Sequence, residues 1–143
     1  MECEAVNMRR RMPVVLWASG HEILPAEVEE LRRILGNFVL LEYRNPIETG
    51  KELLDIIREV RPDIVIVRAP IPVIASFLEL GREYGFELWE EEMESVGHSS
   101  HPRYDEECEM LISLEDGQHE VMRFRHFNRI REIRLVKEPV MER

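Results

Sequence analysis

The chain has 143 residues, enough for one domain, and its 44% hydrophobic share can bury a core of its own. Its formal net charge of −10, with 34% charged residues, excludes a general binder of bulk DNA or of membrane surfaces, both of which need a basic footprint. Cys3 and Cys108 are isolated rather than spaced as a disulfide framework, residues 1–12 are polar with Arg9, Arg10 and Arg11 and no apolar signal core, and no apolar run is long enough to cross a bilayer; the expected setting is the reducing cytoplasm. Abundant Glu and Arg beside a single glutamine, Gln118, resemble thermophile usage.

The first element is a short apolar strand over Val14, Val15, Leu16 and Trp17. It runs into a small polar turn, Ala18-Ser19-Gly20-His21, with a helix opening at Pro25. Val28, Leu31, Ile34 and Leu35 give that helix an apolar face, and Gly36 ends it. A second strand over Phe38–Tyr43 is followed by the loop Arg44-Asn45-Pro46. Thr49 and Glu52 then have capping-box spacing for a helix that carries Leu53, Leu54, Ile56 and Ile57 and stops at Pro62. Ile64–Val67 is wholly apolar, as suits a strand covered on both faces. It passes through Arg68-Ala69-Pro70 into a helix ending near Gly85, and Phe86–Trp89 reads as a fourth strand. Strands and helices alternating over short loops imply right-handed crossovers and a mostly parallel, Rossmann-like sheet with helices on both faces.

The pattern changes after Trp89. Glu90–Glu94 is almost all acidic, and Val96–Asp105 is rich in turn-forming residues, so this stretch reads as a loop. Cys108, Met110, Ile112 and Leu114 then alternate with Glu109, Leu111 and Ser113, Asp116-Gly117 makes a hairpin turn, and the return strand holds Val121, Met122 and Phe124. With a further extended segment over Ile130–Val136, these make an antiparallel annex. The expected organisation is therefore one domain over 1–143, with the α/β core in 13–89 and the annex in 105–137. Charge divides unevenly here, Glu83–Glu109 being acidic and Arg123, Arg125, Arg129, Arg131, Arg134 and Lys137 basic. Either the two segments pair with each other or across a dimer, or the arginines face a phosphate.

In an open parallel sheet the ligand crevice lies beyond the carboxyl ends of the strands, where helix N-termini favour an anion. The loops there carry Ser19, Gly20, His21, Arg44, Asn45 and Arg68. A hydroxyl, a glycine, an imidazole and two guanidiniums suit a phosphate; the alternative is a plain turn, with both arginines paired to surface glutamates. His21 is the acid/base candidate, since an unperturbed imidazole titrates near neutrality. ASGHEI lacks the spacing of a dinucleotide fingerprint, and Ser19 lacks a nucleophile elbow. His98, His101, Cys108 and His119 match no standard zinc spacing and read as loop residues, so neither a metal nor another cofactor is expected.

The strand, the Ala18-Ser19-Gly20-His21 turn, the helix opening Leu24-Pro25-x-Glu27 and the third strand ending in Arg68-Ala69-Pro70 together resemble the small Rossmann-like proteins of type III CRISPR systems. The resemblance spans Pro13–Trp89. It implies a homodimer in antiviral defence that binds a cyclic oligoadenylate across its two-fold axis through Ser19, Gly20, His21 and Arg68. It also implies, as in some members of that family, a ring nuclease in which a ribose 2′-hydroxyl attacks the adjacent phosphate without a metal and His21 or an arginine moves a proton or stabilises charge. The competing readings are a non-catalytic interaction or regulatory module acting through the charged C-terminal strands, and a nucleotide-processing enzyme of unrelated chemistry.

Overall fold

The computed structural model describes residues 11–141. Cys3, Arg9 and Arg10 lie outside that range. The described chain is a mixed α/β protein in which one six-stranded sheet is ordered β2-β1-β3-β4-β6-β5. The strands are β1 (Val14–Ala18), β2 (Val39–Glu42), β3 (Ile64–Val67), β4 (Glu87–Ser99), β5 (Glu109–Ser113) and β6 (His119–Ile130). The helices are α1 (Pro25–Leu35), α2 (Leu54–Val60, entered through a 3₁₀ turn at Gly50–Leu53) and α3 (Ile71–Tyr84). No described helix is long and apolar enough to cross a membrane.

Strands β2, β1, β3 and β4 run parallel. The two-residue alternation of the strands decides which helix covers which face. Val15 and Trp17 of β1, Ile64 and Ile66 of β3 and Trp89 of β4 pack under Leu31 of α1. Leu16, Ala18, Val65, Val67 and Leu88 point the other way and pack with Leu53, Ile57, Val73 and Phe77 from the segment containing α2 and from α3. Helices therefore cover both faces, and the wholly apolar Ile64–Val67 is buried along its whole length. Ile34 departs from its expected place on the inner face of α1 and is exposed, leaving Leu31 to anchor that helix. Thr49 caps the 3₁₀ turn, while the Glu52 carboxylate accepts from the N–H of Glu48 instead of closing the expected box with Thr49.

The antiparallel strands extend this same sheet. β4 continues through the acidic run to Ser99 and pairs with β6 from Leu88–Ile130 to Ser99–His119, with irregularities at Glu92/Met93 and Ser95/Gly97. The expectation of a loop from Glu90 onward is corrected. Glutamates there are tolerated because the outer row meets donors on β6: Asn128 Nδ2 donates to Glu92 at 3.0 Å, and Arg125 pairs with Glu94. The hairpin turns at Asp116-Gly117, Gly117 supplying the required positive φ of 78°. No strand forms over 131–136, because β6 already ends opposite Leu88, close to where β4 begins, and the segment beyond it is exposed. On β5 the expected inner row is also corrected: Glu109, assigned to the outer row, is its most buried residue.

Candidate functional site

The turn after β1 is held from below. Trp17 is fully buried, its indole N–H donates to the His21 carbonyl at 2.8 Å, and its ring meets the imidazole edge-on at 5.5 Å. Gly20, with φ 88°, lets the chain reverse there. The consequence is that Ser19 and His21 both turn toward Glu91, which sits two residues beyond Trp89 on the same face of β4. The Ser19 hydroxyl donates to Glu91 Oε1, and His21 Nε2 lies 2.6 Å from the same oxygen. His21 Nδ1 lies 2.7 Å from the Glu22 carbonyl, which can only accept, so Nδ1 carries a proton.

Glu27 completes the group from the first turn of α1. Its Oε1 accepts the N–H of Leu24 at 3.0 Å, which ties the helix start and leaves Oε2 directed inward. One donor atom each from His21, Glu27 and Glu91 lie within 4.8 Å of one another. Glu27 is completely buried, the Glu91 side chain likewise, and the His21 side chain is 14% exposed. Glu27 Oε2 and Glu91 Oε2 are both buried, and among the described residues no group outside this pair bonds to either.

Burial, followed by the hydrogen bond and charge of Glu91, pushes the Glu27 pKa up to about 10, so Glu27 is a neutral acid at pH 7. Burial also works against charge on Glu91, but hydrogen bonds from His21, Glu27 and Ser19 outweigh it and hold the carboxyl below its ordinary range. For His21, burial favours the neutral ring; the Glu91 hydrogen bond and charge and the Glu22 carbonyl outweigh it and raise the pKa. The Arg68 guanidinium opposes the upward shifts of both His21 and Glu27. The environment thus favours charge on His21 and on Glu91 and the neutral acid on Glu27.

The other expected site residues divide. Ser19, Gly20, Asn45 and Arg68 line one cleft of about 120 Å³ with Ala18, Pro46, Val67 and Pro70, on the α3 face of the rim. His21 instead borders a second cleft, of about 540 Å³, between the start of α1 and β5, where Glu22, Glu106 and Glu109 make the lining acidic. Arg44 is drawn off to Glu42 at 3.0 Å and Glu22 at 3.6 Å. Among the described residues Arg68 has no such ion pair. His98 and His101 sit at and just past the far end of β4, exposed and apart from this group. The C-terminal arginines are largely engaged within the sheet, Arg123 with Glu109, Arg125 with Glu94 and Arg129 with Glu87.

Glu27 and Glu91 were missed as site residues. Each carried a signal: Glu27 stands one turn before Leu31 on the inner face of α1, and Glu91 stands in period two with Trp89. An acid in an apolar row is the pattern that marks both.

Compared with protein-family models, curated proteins and solved structures, the chain has no significant match in any of the three.

Proposed function

We propose that this chain binds a phosphate-containing small ligand at the carboxyl rim of its parallel strands, with a cyclic oligonucleotide as the form that the sequence resemblance implies. The observation that carries the reading is the small cleft in which Arg68 lies beside Ser19, Gly20 and Asn45 with no carboxylate partner among the described residues. The strand order β2-β1-β3-β4 supports a Rossmann-like description. In such a sheet the crossovers from β1 and β3 leave toward opposite faces, and the crevice between their ends is the customary ligand position. Gly20 allows close approach of the backbone, and Arg68 supplies a bidentate donor.

The cleft's size limits what enters. A volume of about 120 Å³ is well below the roughly 300–1,000 Å³ that encloses a whole drug-sized ligand, so one phosphate group enters and the remainder lies across the rim. A second copy of the chain, as in the implied homodimer, is one way to cover that remainder. His21 directs Nε2 at Glu91 and borders the other cleft, so the reading is of binding, with no reaction assigned.

Thermal unfolding with inorganic phosphate and with linear and cyclic oligoadenylates tests it. A ligand at a hundredfold excess over its dissociation constant adds about 2.7 kcal/mol of stability. The expected result is a shift with at least one of these ligands that Arg68→Ala abolishes and Arg44→Ala leaves in place. A shift with none of them, or one that survives Arg68→Ala, overturns the reading.

A further inference from the structure

We propose that His21, Glu27 and Glu91 form a binding site for one divalent first-row transition-metal ion, of the Zn²⁺ or Mn²⁺ kind. The site lies on the α1 side of the rim, distinct from the phosphate cleft on the α3 face, with which it shares Ser19 and the charge of Arg68.

Geometry carries the argument. Metal–ligand bonds of about 2.0–2.2 Å place neighbouring donor atoms roughly 3–3.6 Å apart. The three donors already lie within 4.8 Å of one another and come from three elements, the turn after β1, the first turn of α1 and β4. Small side-chain rotations bring them onto one centre. Each donor is also oriented from behind, as metal ligands usually are. The His21 Nδ1–H donates to the Glu22 carbonyl at 2.7 Å, so Nε2 is the nitrogen that offers its lone pair when the ring is neutral. Leu24 N–H holds Glu27 Oε1 at 3.0 Å, and the Ser19 hydroxyl holds Glu91 Oε1.

The second observation is the pair of unsatisfied oxygens. Glu27 Oε2 and Glu91 Oε2 are buried, receive no hydrogen bond from any group outside this pair among the described residues, and belong to the group on which the donors converge. Buried polar atoms without partners are rare in folded proteins, and a bound ion is one of the few physical reasons for them. Glu109 shows that this chain can satisfy a buried glutamate when the role is structural, with Arg123 and the Asp105 N–H both bonded to it. Among the described residues no lysine or arginine bonds to either of these oxygens.

Ligand chemistry narrows the ion. Metal binding releases the protons held by Glu27 and by His21 Nε2; the resulting two carboxylates and neutral imidazole balance a dication, and one nitrogen with two oxygens suits Zn²⁺, Mn²⁺ or Fe²⁺ better than Ca²⁺ or Mg²⁺, which favour all-oxygen shells. Three protein donors leave a coordination position for water or a ligand group. The cleft of about 540 Å³ that His21 borders reaches the site from solvent at that ligand, and Glu22 and Glu106 in its lining attract cations.

The test is titration of the chelator-treated full chain with ZnCl₂ and, separately, MnCl₂ by calorimetry, with Mn²⁺ binding also read by electron paramagnetic resonance. One saturable site per chain is expected, with a raised Tm, and Glu27→Gln and Glu91→Gln should each weaken it at least tenfold. Glu27→Gln retains an acceptor for Leu24 N–H, so it reports on the site should Glu91→Gln fail to fold by circular dichroism. His21→Gln should weaken Zn²⁺ more than Mn²⁺. Absence of stoichiometric binding of both metals, or binding that persists unchanged in Glu27→Gln, overturns the proposal.

Discussion

Two regions of this molecule bury glutamate in opposite ways. On the antiparallel side, Glu109 is 5% exposed and fully engaged: Arg123 Nε donates to Oε2 at 2.8 Å, and the Asp105 N–H donates to Oε1 at 2.7 Å. At the rim, Glu27 and Glu91 face each other beneath α1 without a guanidinium bonded to either, and one of them holds a proton to remain there. The first arrangement is what a sheet needs to tolerate a charge in its interior. The second maintains an energetic cost that the fold does not require, and such costs gather where a ligand or reaction uses them.

The largest effect that separates the two regions should come from Glu91→Leu. It removes the acceptor of both Ser19 and His21 and leaves the Ser19 hydroxyl and the His21 ring nitrogen Nε2 enclosed without a partner, at a cost of about 3 kcal/mol. Glu27→Gln, by contrast, should stay within about 1 kcal/mol of the parent when the two are compared near pH 5, because its carbonyl accepts from Leu24 and its amide donates to Glu91. Urea unfolding with an unchanged slope measures both. Equal losses would mean that the two glutamates are not distinct in role.

The next effect is in the pH dependence of the metal-free protein. The folded pKa of Glu27 is raised from 4.5 to about 10, so between those values the folded state holds a proton that the unfolded chain has released. Its contribution to stability therefore falls as pH rises through that window, at a limit of about 1.4 kcal/mol per pH unit for one full proton. Glu27→Gln cannot take part in this exchange. The stability of Glu27→Gln relative to the parent should rise steadily from pH 5 to pH 9, and a difference that stays flat would remove the neutral-acid assignment.

Below these lies Ser19→Ala, which deletes one hydrogen bond to Glu91 while His21 keeps its own; about 1 kcal/mol is expected from the same urea measurement.

The legibility of these features follows from how many neighbours each residue needs. Ile64–Val67 and Val14–Trp17 declared themselves as strands because continuous apolar runs bounded by turns have few other uses. The helix starts were equally local. The continuation of β4 was not, because Glu90, Glu92 and Glu94 are poor strand formers alone and become acceptable only beside Asn128 and Arg125 on a strand thirty residues later. The site follows the same division. Ser19, Gly20 and His21 lie in one turn and could be read from it, whereas Glu27 and Glu91 join them only through the docking of α1 and the register of β4. Arg44 and Arg68 look alike in sequence; the carboxylates of Glu22 and Glu42 separate them.

The smallest expected effect lies on the antiparallel side and has the opposite sign in pH. The Asp105 N–H and then Arg123 hold the Glu109 pKa below its ordinary value, so the unfolded chain takes up a proton before the folded one does. Glu109 thus contributes stability above the unfolded carboxyl value, and this is lost as pH falls through the lowered folded value. Arg123→Met should reduce that contribution and flatten the acid limb of the stability curve relative to the parent. The change is modest because Arg123 is 43% exposed and water screens the pair. A parent and Arg123→Met whose curves run parallel from pH 6 to pH 3 would show that backbone bonding alone holds Glu109. In that case what distinguishes it from Glu91 is the Asp105 turn and not the guanidinium.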